Sequence, residues 1–503
     1  MTAPHGAGPP RAGTLLDQVR VLLDRAVAET RDPRLAHARR RIDEPLRVAI
    51  AGKVKAGKST LLNALVGEEL AATDAGECTR IVTWYADGRT YEVTAYLNDG
   101  SAEPRPFTRR DGAVQINLGR PAEEVDHLEV RVPSSRLRQH TLIDTPGIAS
   151  LSTDVSLRTM AFLEAEGERA AQTDAVIYLL RHMHGADVRF LESFHGDGLA
   201  SGTPVNAVGV LSRADEIGGC RLDAMSSAAR VAARYASDER LRRLCPVVVP
   251  VAGLLGAAGA TLREEEFRVL AAVAAEPMDD VVELLLTADR FAASGEHRAR
   301  VLQRLGLFGV RLSVRLIREG VVTDSGGLAR ELTEHSGVER LREVFAAQFV
   351  GRAEVLKARS ALAVLDECIP VGSPMAAEAE RIRASAHEFV ELRLLHQVRS
   401  GRLPGTDDQL AEMDVLLGGA GAAPYARMGL PKDAAPGRIA AAARDALTRW
   451  QAIAEHPFSP RELKTAARAV ARSCEAILFQ SQPGPFQPGP FQPGPFQPGP
   501  PQF

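Results

Sequence analysis

Residues 52–60 read GKVKAGKST, a match to the pattern GxxxxGK[ST], and nothing else in the chain narrows its fold as far. The run LRVAI at 46–50 precedes it and turns continuously apolar, as a strand buried on both faces does. Residues 60–66 continue at helical spacing. Strand, loop and helix in that order are the setting in which such a loop cradles phosphate. Its glycines let backbone N–H groups converge on the anion, and the helix N-terminus adds its positive dipole end. The candidate phosphate ligands are Gly52, Lys55, Ala56, Gly57, Lys58, Ser59 and Thr60. Lys58 would bridge the β- and γ-phosphates of a nucleoside triphosphate, and Ser59 would offer its hydroxyl to Mg2+. Charge usage points the same way. The chain carries 61 basic residues, of which only 6 are lysine, and Lys53, Lys55 and Lys58 are half of those. A compact ammonium suits a tight phosphate loop where a planar guanidinium does not.

Further segments have the spacing of a nucleotide switch. Asp144-Thr145-Pro146-Gly147 follows a strand pattern at 141–143. A carboxylate at the carboxyl end of a parallel strand can hold Mg2+ through its water shell, and Gly147 can offer an N–H to the γ-phosphate with no side chain in the way. Ser212-Arg213-Ala214-Asp215 follows a strand pattern at 205–211. An aspartate there accepts both guanine N1–H and N2–H2, whereas adenine would leave it buried and unpaired. Guanine contacts are expected at Ser212, Arg213 and Asp215, with the Arg213 stem over the base, so GTP is preferred to ATP. Within GECTR at 76–80, Thr79 is the candidate for completing the Mg2+ shell and closing over the γ-phosphate. The expected metal set is Ser59, Thr79 and, through water, Asp144. His182 and His184, with no nearby cysteine and no ligand spacing, read as part of a strand-end loop.

Around these motifs strands and helices alternate up to about residue 260. Strand patterns at 82–85, 91–97, 114–118, 127–132, 175–180 and 246–251 are interleaved with helical patterns at 157–171, 187–199 and 222–236. That alternation predicts an α/β domain with a largely parallel sheet. Only helical patterns follow, and 14–41 reads as one amphipathic N-terminal helix. Residues 1–13 are rich in Gly, Pro and Ala, and 482–503 repeat QPGPF, too much proline for a helix or a ladder, so both ends read as flexible. A net charge of −3 excludes a polycation built for nucleic acid. Five dispersed cysteines exclude a disulfide framework or a structural zinc. The first apolar block carries Asp17, Arg20, Asp24 and Arg25, so it is not read as a signal peptide, and no apolar run is long enough to span a membrane. A cytosolic chain with at most peripheral membrane contact is expected.

In order, GKVKAGKST, GECTRIVTW, DTPG and LSRADE, with a large insert between residues 79 and 144 and a helical C-terminal part, resemble the bacterial dynamin-like GTPases. The longer segments AGKVKAGKSTLLNALVGEEL, LSRADEIGGCRLDAM, RLGLFG at 304–309 and VVTDSGGLARELTEHSGVERLR are similar to the isoniazid-inducible IniC type of actinobacteria. The resemblance implies a P-loop GTPase domain of dynamin type at 46–350 and an all-α bundle or stalk at 351–480, with the N-terminal segment 14–45 packed against the bundle and a disordered tail at 481–503. It implies GTP- and Mg2+-dependent association of GTPase domains, coupled to membrane remodelling or to septum and envelope maintenance at the inner face of the plasma membrane. The partner would be a second copy or a sibling dynamin-like protein.

By the same resemblance, Val54 stands where dynamins carry a polar residue that orients the attacking water. Lys55 stands near where they hold a monovalent cation, and it would replace that cation. Lys55, Lys58, Thr79 and Gly147 are then the groups set against the reacting phosphate. The region 415–430, with Arg427 and Lys432, would be either a lipid-facing tip or a plain connecting loop. Two other readings stay open. One is a non-hydrolysing partner subunit of a sibling protein, which Val54 favours. The other is an Era-like GTPase in ribosome or RNA assembly, against which the acidic balance and the helical C-terminal part argue.

Overall fold

The computed structural model describes residues 14–71, 81–110, 113–146, 173–181, 187–188, 191, 206–245 and 247–481. At its centre lies a nine-stranded sheet. β1 (Leu46–Gly52) is flanked by β8 (His140–Asp144) and β9 (Ala175–Leu180), and β10 (Ala207–Ser212) and β11 (Val248–Val251) extend a parallel run beyond β9. Every residue of β1, β9 and β10 is buried, as strands covered on both faces must be.

On the other side the directions mix. β2 (Val82–Asp87) runs antiparallel to β8, and β7 (Val125–Val132) runs parallel to β2. β3 (Glu92–Leu97) and β4 (Ala102–Pro104) then close that edge in antiparallel pairs. The expected largely parallel sheet is therefore a parallel half joined to a mixed half, and the mixed half is built from the insert. Its strands show why: β3 and β7 largely alternate buried and less buried positions, so each keeps one dry face, and β3 pairs antiparallel with β7 without a crossover helix. β5 (Phe107–Arg110) and β6 (Ala113–Ile116) form a separate hairpin. Side chains stack across the sheet from β1 to β3. The Arg47 guanidinium lies 4.2 Å over Trp84, which stacks on His127 at 4.2 Å, and His127 stacks on Tyr96 at 4.5 Å.

The helix expected over 14–41 is two helices. Leu15–Thr30 starts at a capping box between Thr14 and Asp17, and Pro33–Arg41 starts at an Asp32 cap. Arg31 takes a left-handed conformation between them, and the missing N–H of Pro33 prevents a continuous run. The first helix buries Leu15, Val19, Leu22 and Leu23 and packs on helices Ala353–Cys368 and Pro374–Ser385. Among the described residues no strand follows β11. A separate apolar core around the fully buried Trp450 joins helices His387–Arg399, Asp407–Leu416, Pro436–Glu455 and Arg461–Ser481.

The 415–430 region is tied inward. Arg427 donates to the Leu416 carbonyl at 2.7 Å and pairs with Glu391, whose carboxyl is held near 2 despite its burial, by hydrogen bonds from His387 and Ser473 and by the Arg427 charge. No described helix is long and apolar enough to cross a membrane.

Candidate nucleotide site

The phosphate loop leaves the centre of the sheet at Gly52. A Cβ on Gly52 would lie 3.0 Å from both the Leu179 Cβ and its carbonyl oxygen, so only glycine lets β1 end this close to β9. Gly57 (φ 93°) caps helix Lys58–Val66 without any side-chain hydrogen bond, and a Cβ there would meet nothing within 4 Å. Among the described residues no side chain caps the first N–H groups of that helix, the arrangement that accepts phosphate. Between the two glycines Lys55 is left-handed (φ 63°), which costs a non-glycine residue about 1–2 kcal/mol. Val54 and Lys55 both project from the loop into solvent. Lys58 rests its ammonium on the carbonyls of Gly52 (3.3 Å) and Lys53 (3.4 Å). Desolvation lowers its affinity for a proton, and Asp144 opposes that effect.

Asp144 ends β8, opposite Ile50 of β1. Its Oδ2 accepts from Ser59 Oγ at 2.9 Å, while Oδ1 is buried without a hydrogen-bond partner among the described residues. Desolvation pushes its carboxyl up, with Lys58 and Ser59 pulling the other way. A hydroxyl beside a carboxylate with one orphaned oxygen is a hard-oxygen set, and it fits Mg2+, which takes a carboxylate and fills its remaining positions with water and phosphate. Thr145 locks the strand end by donating its hydroxyl to the Ile50 carbonyl at 2.9 Å.

The other end of the cleft is built from β10. Ser212 turns its hydroxyl to the Leu180 carbonyl at 3.3 Å, so it braces β9 against β10. Arg213 is left-handed (φ 52°) and reaches two ways, to Glu216 at 2.8 Å and to the Lys55 carbonyl at 3.2 Å. Asp215 is 7% exposed, and burial pushes its carboxyl up to about 6. Helix Glu296–Arg318 breaks at Gly306 (φ 67°, ψ 170°) against this aspartate, and a Cβ there would sit 3.6 Å from Asp215 Oδ2. Ala56, Gly57, Thr60, Ser212, Arg213 and Asp215 share one cleft, walled also by Leu254.

Thr79, Gly147, His182 and His184 lie outside the described residues. Two contributors were not legible as site residues. Gly306 belongs to the RLGLFG segment but carries no chemical signature. Asp187 lies after β9, where it meets the loop through Lys53 at 3.0 Å.

The parallel half of the sheet with this loop, a hydroxyl–carboxylate pair and an aspartate at the far end of one cleft defines a P-loop nucleotide-binding domain. The dynamin family profile matches residues 48–190. Isoniazid-induced protein IniC of Mycobacterium tuberculosis (strain ATCC 25618 / H37Rv) is 41% identical over 453 residues, 87% of this chain and 91% of that protein. The chain belongs to the dynamin family, as a bacterial dynamin-like protein of the IniC type. Isoniazid-induced protein IniA of the same strain is 33% identical over 147 residues, 26% of this chain and 21% of that one. A bacterial dynamin-like protein of Nostoc punctiforme is 31% identical over 116 residues, 20% and 16% of the two chains.

Proposed function

We propose that the chain binds GTP with Mg2+ and hydrolyses it. Hydrolysis would couple association of its GTPase domain, with a second copy or a sibling dynamin-like protein, to membrane remodelling at the septum or envelope. One observation carries the reading: segments 52–60, 144–145 and 212–216, far apart in sequence, meet with a lysine, a hydroxyl–carboxylate pair and a buried aspartate.

In this reading the phosphates lie on the N–H groups of residues 55–60. Lys58 leaves its two carbonyls for the β- and γ-phosphates. Ser59 and Thr79, and Asp144 through water, hold Mg2+, whose charge neutralises the phosphate oxygens. Asp215 accepts guanine N1–H and N2–H2, Thr79 and Gly147 close over the γ-phosphate, and Lys55 stabilises the charge that develops during transfer. The GTPase domain is 46–350, and 14–45 with 351–480 form the bundle.

We assign peripheral membrane contact to the turn between helices Pro436–Glu455 and Arg461–Ser481. Phe458 is 90% exposed there, and Arg461 and Lys464 follow it. The pinned Arg427 is a poor candidate by comparison.

The test is GTP turnover over a range of protein concentrations, with Lys58→Ala as the background. A specific rate that climbs with concentration supports mutual activation of GTPase domains. A rate at background, with GTP still bound, would favour the non-hydrolysing partner subunit, a reading supported by the apolar Val54, 45% exposed on the loop.

A further inference from the structure

We infer that Lys53 is a positioning residue of the phosphate loop, and that Asp187 and Tyr178 form the buried seat that holds it. The inference rests on the reading of the cleft as a GTP site and extends it to three side chains that reading leaves without a role. Lys53 is the first residue after β1. Its ammonium lies 3.0 Å from Asp187 Oδ2, and the Asp187 side chain is only 2% exposed. The other carboxylate oxygen accepts from the Tyr178 hydroxyl at 2.8 Å. Tyr178 is itself buried in β9, where it pairs with Ala51 of β1. The seat is therefore built on the strand beside the loop's own strand. A carboxylate so enclosed persists only when a cation and hydrogen bonds compensate it, which keeps the Lys53 ammonium on its seat.

The loop has a reason to need that hold. Positions 54 and 55 are Val and Lys, and Lys55 occupies a left-handed conformation that an L side chain keeps only when its surroundings enforce it. Two clamps flank this residue. On one side stands the Lys53–Asp187 pair, and on the other Arg213 donates to the Lys55 carbonyl. The Lys53 carbonyl accepts from the Ala56 N–H at 3.1 Å and from the Lys58 ammonium at 3.4 Å. A displacement of Lys53 thus moves the turn, the strained residue and the resting place of Lys58 together. The seat sets the loop in its phosphate-binding shape before nucleotide arrives.

The experiment follows release of a fluorescent GDP analogue from the full chain with Mg2+ by stopped flow, and the melting temperature of each protein. The variants are Lys53→Met, Asp187→Asn, their double, and Tyr178→Phe. Each charge variant is expected to release nucleotide roughly tenfold faster, the scale of one charge-assisted hydrogen bond, and the double no faster than either single. Tyr178→Phe, which removes one donor to the buried carboxylate but keeps its charge and its ion pair, is expected to fold with a lower melting point and to release about threefold faster. Release at the wild-type rate in Lys53→Met, or single effects that multiply in the double, would overturn the inference. Should Lys53→Met fail to fold, Tyr178→Phe decides: release at the wild-type rate sinks the proposal. A wild-type chain that binds no GDP analogue would instead remove the GTP reading beneath it.

Discussion

Lowering the pH from neutrality titrates the carboxylate on which guanine recognition is proposed to rest. Burial holds Asp215 at about 6 in the empty protein. The neutral acid cannot accept from both N1–H and N2–H2, so guanine binding draws on the ionised fraction alone. At pH 7.5 nearly every molecule is ionised. One pH unit below the titration point roughly one in ten is, and affinity should fall about tenfold, or about 1.4 kcal/mol.

Stability should move the opposite way. The folded value lies above the ordinary 3.8, so the empty folded protein holds this proton more tightly than the unfolded chain. The contribution of Asp215 to stability is therefore fully present below about pH 4 and lost as pH rises through 6, a swing of about 3 kcal/mol. The assay is a titration with a fluorescent GDP analogue at pH 5, 6 and 7.5, beside melting of the empty protein. Asp215→Asn on the same nucleotide subtracts protonation of the diphosphate itself. Equal pH slopes for wild type and Asp215→Asn would refute the reasoning.

Asp144→Asn removes a charge that desolvation disfavours, so the empty protein should melt a few degrees higher while Mg2+ ceases to tighten GTP binding; calorimetry and a Mg2+ titration read the two effects separately. Lys55→Gly should relieve the left-handed strain and stabilise by about 1 kcal/mol in chemical denaturation. The same variant should cut turnover at least about tenfold if the ammonium stabilises transferring charge, and unchanged turnover with GTP bound would rule that role out. Phe458→Ser should abolish co-sedimentation with anionic vesicles and leave lipid-free hydrolysis unchanged, and persistent sedimentation would place the contact elsewhere.

The site was legible where chemistry fixes residue types at short spacing. Lys58, Ser59 and Asp215 stand in local motifs, and the structure brings their segments together with Asp144. Lys53 was visible as an unusual lysine, but its partners were not. Asp187 and Tyr178 come from the far side of β1, and no local spacing records a contact made across a sheet. Strand direction in the insert was hidden for a similar reason. β2 runs parallel to β7 and antiparallel to β8, a choice made by tertiary pairing that alternation cannot express. Arg427 misleads in another way. A cation in a Gly- and Ala-rich stretch suggests a surface, yet it is paired with Glu391 and satisfies a helix-end carbonyl. Pro33 was a readable breaker, and a continuous 14–41 helix should have stopped before it.

The chain holds two tryptophans, and the fold gives them opposite surroundings. Trp84 is pressed between a guanidinium and an imidazole at 4.2 Å on either side, in the mixed half of the sheet. Trp450 is wholly enclosed among the aliphatic side chains of the helical core. An indole stacked between such groups emits weakly, and a dry one emits at short wavelength. Opening the sheet should therefore brighten the spectrum, and opening the helical core should shift it to the red. Unlabelled protein heated in a fluorimeter thus distinguishes loss of the sheet from loss of the bundle, and shows whether the two come apart as one unit or in turn.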